Sequence, residues 1–175
     1  MKNIVATLSL LFATTLSAQV AIGKTSISSP AVSLEFYDNA DNTRGIILPW
    51  VTSTAAVTGA VNGTIVYNTA DRKVYVKYAS GWRDLSVDNT GTVTTTLQDS
   101  LTDQDSAKVL IGGDPATDTT PGILVLADTN KAMVLPKVAS PHLNIVNPSP
   151  GMMVYDTTNK QLAVFNGTVW SFWKP

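Results

Sequence analysis

The sequence predicts a mainly β protein, two tandem small β-meander modules joined by a polar connector, and three observations lead there. The first is internal repetition. Gly63-Thr64-Ile65-Val66-Tyr67-Asn68-Thr69-Ala70-Asp71-Arg72-Lys73 aligns without a gap over Gly151-Met152-Met153-Val154-Tyr155-Asp156-Thr157-Thr158-Asn159-Lys160-Gln161. The match runs on through Val76 over Val164 to Trp82 over Trp170, and six of these twenty positions are identical. The second is that the likeness extends upstream in the same order. Arg44-Gly45-Ile46-Ile47-Leu48-Pro49 lies over Lys131-Ala132-Met133-Val134-Leu135-Pro136, and Ala21-Ile22-Gly23 over Leu110-Ile111-Gly112. The third is residue usage: Thr, Ser, Val, Asn and Gly favour strands and turns over helices.

Residues 1–18 read as a secretory signal peptide. Lys2 supplies the positive start, an apolar run follows from Ile4 to Ala13, and Thr15-Leu16-Ser17-Ala18 forms a small-residue exit. The run falls short of the roughly 20 apolar residues of a membrane span. No later segment spans, so the mature chain is expected to be exported without a transmembrane segment. Residues 19–87 form the first module. Positions 33–37 and 45–48 are expected as short strands, the second ended by Pro49, which has no N–H to give a ladder. One helical turn is expected within 52–61. Position 64 opens a strand that turns at 69–72; the chain returns over 74–78 with Val74, Val76 and Tyr78 on one face. A second turn at 79–81 leads into a strand near Trp82. Residues 88–108 are the polar connector, on which Val93, Leu97 and Leu101 draw a thin apolar stripe. Residues 109–175 repeat the pattern, with turns at 157–160 and at Asn166-Gly167-Thr168, the Asn-Gly pair being a hairpin signal.

The pattern Gly-x-x-Val-Tyr-[Asn/Asp]-Thr, then a turn, a strand and a Trp, resembles a module of exported surface proteins of Bacteroidota, and a similar stretch occurs in phage tail-fibre proteins. Ala21-Ile22-Gly23 and Gly45-Ile46-Ile47-Leu48-Pro49 resemble the openings of those exported repeats. The resemblance implies a β-rich extracellular module, part of adhesive or fibrous assemblies, without implying a ligand. It also marks Ser100 and Ser106, each after an Asp, as candidate O-glycan acceptors in the connector.

Chemistry is sparse. The chain has no Cys, hence neither a disulfide framework nor a thiolate metal site. Its lone His142 has no Cys or carboxylate at metal-ligand spacing. Glu35 is the only Glu, and the Asp residues fall in turns and the connector, where Asp bonds local backbone. Asp38 and Asp41, with Asn39 and Asn42, lack the alternation of a helical calcium loop. Twelve basic and thirteen acidic residues leave a net charge of −1, with nothing to track a phosphate backbone, so nucleic acid is not an expected partner. No catalytic residue, cofactor or metal is expected. Trp82 and Trp170 occupy equivalent positions and are assigned to the module cores; Trp50 and Trp173 have no counterpart in the alignment and are the candidate contacts for a ligand or partner.

The expected function is therefore a non-catalytic structural or adhesive, fibre-like protein, secreted or on the cell surface, with the periplasm as the alternative location. The functional alternative is a carbohydrate-binding module using exposed Trp50 or Trp173. Self-association is expected, with a homotrimer favoured, or else association with other surface proteins. A module of about 60 residues buries only about 60% of its unfolded surface, and no disulfide braces it here.

Overall fold

The computed structural model describes residues 19–102, 104 and 107–174. The expected leader at 1–18 and the candidate acceptor Ser106 lie outside the described residues. The architecture is mainly β, as the sequence predicts. In the first half, β5 (Ile65–Asn68), β6 (Lys73–Tyr78) and β7 (Gly81–Asp84) form an antiparallel meander. In the second, β12 (Met152–Asp156), β13 (Gln161–Phe165) and β14 (Trp170–Trp173) do the same. The turn chemistry explains both. Asn68 Oδ1 accepts the Ala70 amide at 3.0 Å, and Arg72 closes the turn at φ 64°. In the second copy Asp156 takes Asn68's place, and Lys160 closes at φ 55°.

Shorter parallel pieces repeat as faithfully. β1 (Val20–Ile22) lies parallel to β2 (Val32–Phe36), and β8 (Val109–Ile111) parallel to β9 (Leu124–Leu126). β3 (Ile46–Ile47) corresponds to β10 (Ala132–Val134). The proline after each does more than end a strand, because the chain resumes at once as β4 (Trp50–Val51) and β11 (Lys137–Val138). β4 runs parallel to β5, Trp50 opposite Tyr67; β11 runs parallel to β12, Lys137 opposite Tyr155. Lys137 thus holds the position of Trp50. The amide of Tyr67 donates to the Pro49 carbonyl and that of Tyr155 to the Pro136 carbonyl, both at 2.9 Å. A 3-10 turn at Thr54–Ala56, capped by Ser53, has its counterpart in the short helix α1 (Pro141–Asn144).

The two copies are not independent beads. β10 of the second pairs parallel with β2 of the first, giving the sheet β1-β2-β10. β3 of the first pairs antiparallel with the start of β12 of the second, Ile46 opposite Met153. One buried cluster draws Leu48, Tyr67, Val74 and Leu85 from the first copy and Met153 and Val164 from the second. The connector is polar but not free along its whole length. Thr92 Oγ1 donates to the Gly167 carbonyl at 3.0 Å, Asn166 Nδ2 to Asp88 Oδ1 at 3.0 Å, and Thr168 Oγ1 to the Thr90 carbonyl at 2.9 Å. Of the expected stripe, Val93 reaches the core, while Leu97 and Leu101 stay in solvent.

Candidate interaction surface

The seam between the copies is built around Tyr67. Its ring is fully buried and its hydroxyl donates to the Asn166 carbonyl at 2.7 Å. Burial pushes its pKa up to about 12, so the phenol stays a neutral donor. It lies on Gly151, where an added Cβ would come within 2.9 Å of the Tyr67 Cβ. Backbone and ring can approach this closely because Gly151, at φ 77°, carries no side chain.

Trp50 and Trp173, the candidate contacts for a ligand or partner, belong to the same seam. Both are half-buried. Trp50 packs on Tyr67 with ring centroids 6.2 Å apart, and its Nε1 donates to the Pro150 carbonyl at 3.0 Å. Trp173 Nε1 donates to the Leu85 carbonyl at 2.6 Å, and the Arg83 guanidinium sits 5.0 Å from its ring. Each indole crosses from one copy to the other. A buried indole N–H needs an acceptor, and here the partner copy's backbone supplies it.

The polar candidates are dispersed. Glu35 is fully buried and accepts from Lys24 Nζ and from the Ser28 amide, both at 2.7 Å. Asp38 is taken by two lysines, Lys24 at 3.1 Å and Lys137 at 3.2 Å, and Asp41 accepts from the Tyr37 hydroxyl. Glu35, Lys24, Asp38 and Lys137 form one chain of ion pairs that joins β1–β2 to β11. His142 stands exposed on α1, edge-on to Phe172 at 5.7 Å. Ser100 is exposed in the connector.

What the sequence did not flag is a set of open apolar strand edges. β9 has β8 on one side, and no described strand pairs with its other side. Leu34 on β2, covered by β10, is 1% exposed, whereas its counterpart Leu124 on β9 is 47% exposed, with Ile123 open beside it. β12 is edged at its start by β3, but no described strand edges the start of β5. Gly151 is buried, while a Cβ on its counterpart Gly63 would meet nothing within 4 Å. Tyr67 is wholly buried, while its counterpart Tyr155 is 36% exposed.

No curated protein and no solved structure matches this chain. Residues 114–174, which carry β9 through β14, match the family described as phage tail like trimerisation region. The stretch that carries the open β9 edge is thus similar to a phage tail like trimerisation region.

Proposed function

We propose that this protein is a non-catalytic, fibre-like structural component of the cell exterior that assembles as a homotrimer. The match of 114–174 to a trimerisation region is the observation that carries the reading. The apolar edges of the β strands support it, because an uncovered edge with hydrophobic neighbours is a pairing surface. Export rests on the leader-like residues 1–18, and adhesion to other surfaces on the resemblance to exported Bacteroidota repeats. Sugar stacking on Trp50 or Trp173 has less support, since both rings are half-buried and both indole N–H groups are engaged.

Sedimentation equilibrium of the exported protein at micromolar concentration tests the assembly. A species of three times the chain mass is expected, and a single monomeric species overturns the reading. Protein recovered outside the cytoplasm should begin near Gln19; recovery of the uncleaved chain in the cytoplasm alone overturns export.

A further inference from the structure

We infer that the three copies of this chain join head to tail in a closed ring, the second half of one docking on the first half of the next by repeating the strand pairing that already joins the two halves within one chain. The inference rests on the self-assembling structural reading above and adds the surface, the register and the polarity.

The internal seam is heterologous: the first half uses β2, β3 and Tyr67, the second β10, β12 and Gly151. A heterologous contact between equivalent units always leaves its two complementary surfaces unused at the two ends. The leftover surface of the second half comprises the free side of β9, the free side of β10 and Tyr155. The leftover surface of the first half comprises the free side of β3, the start of β5 and Gly63. Burial differs between counterparts at these places. Leu124 is open where Leu34 is covered, and Tyr155 is open where Tyr67 is buried. Gly63 faces empty space where Gly151 carries a ring. Ile47 on β3 is likewise 54% exposed.

The register follows from the observed pairs. Met133 opposes Leu34, so Ile46 of one chain should oppose Leu124 of the next. Met153 opposes Ile46, so Ile65 should oppose the neighbour's Met133. The Leu48 amide donates to the Gly151 carbonyl at 3.0 Å, and Leu135 should donate in the same way to the neighbour's Gly63. Tyr155 should then lie over Gly63. The occupant of these edges is a second copy because the covering strands are already known from the seam: β3 is the counterpart of the β10 that covers β2.

The chain has no Cys, so introduced thiols are the only ones. Opposed residues on paired strands bring their Cα atoms within the roughly 4.4–6.8 Å that a disulfide requires. Ile46→Cys and Leu124→Cys chains, produced separately and co-expressed, are oxidised and run without reductant. Covalent dimers are expected from the co-expressed pair and from neither variant alone. A dimer from Leu124→Cys alone would mean like edges meet, and would overturn the head-to-tail pairing. No dimer from the pair, while sedimentation still shows an assembled wild-type chain, would overturn this surface and leave self-assembly standing. A monomeric wild-type chain would sink both. Tyr155→Ser, at a half-open position, should keep the thermal unfolding transition and raise the concentration needed for assembly at least tenfold; unchanged assembly would refute the seat on Gly63.

Discussion

Glu35 and Asp156 are both fully buried carboxylates, and each stays ionised for its own reason. Burial pushes the Glu35 carboxyl up, but Lys24 and the Ser28 amide outweigh it and hold it below the ordinary 4.5. Asp156 is likewise raised by burial and pulled below 3.8 by its donors, among them the Asn159 side chain and the amides of Asn159, Ser140 and Thr158. Both groups take a proton more readily in the unfolded chain. Their contribution to stability is therefore complete above the unfolded values and is lost as pH falls through the folded ones. The urea midpoint should be flat from about pH 7 to about 5.5 and drop steeply toward about pH 3. Glu35→Gln keeps the shape but loses a charge-assisted bond to Lys24. It should cost roughly 2 kcal/mol at neutral pH and flatten the acid limb. An acid limb as steep in the variant as in the parent would show that Glu35 is not part of the acid response.

At the scale of elements, the docked start of the connector depends on two backbones touching. A Cβ on Gly91 would run into the Asn166 carbonyl, and one on Gly167 into that of Thr92. Gly91→Ala should push residues 88–93 off the β13–β14 hairpin. An overpacking cost of about 2 kcal/mol corresponds to about 4–8 °C in Tm for a chain of this size. Limited proteolysis should cut between 86 and 101 sooner in the variant; an unchanged Tm and cutting pattern would mean the contact is incidental. The sequence announced the hairpins, because period-two patterning, Asn-Gly and a repeated Gly-x-x-Val-Tyr block are local signals. It was silent on β4 and β11, two-residue strands directly after a proline, whose partners are fixed by parallel pairing within the fold. It is equally silent on the half-burial of Trp50. Two residues offer no alternation from which burial could be judged, and the ring's acceptor, the Pro150 carbonyl, lies in the other copy.

For the whole molecule, the duplicated sequence invites a picture of two self-sufficient domains, and the packing argues otherwise. Each half alone is of the size at which a single core is marginal. The observed core solves this by pooling: Tyr67 and Leu48 close against Met153 and Val164, and two indoles bond across the seam. Cutting the chain at the connector would leave β2, β3 and the start of β12 without their partners and would uncover the pooled cluster. Fragments 19–87 and 88–174, each prepared alone, should therefore show no cooperative thermal transition. Mixed one to one, they should recover a shared transition, because the pairing surfaces are complementary. Heterologous surfaces also let a lone fragment pair with copies of itself, so fragments are compared at low concentration, where such contacts are diluted out. Two fragments that each melt cooperatively there, with no gain on mixing, would mean that the halves fold separately and the seam is only a contact between finished domains. A joint transition would mean that the pairing used within the chain is strong enough to assemble unlinked pieces, which is the energetic requirement for the same pairing to link one chain to the next.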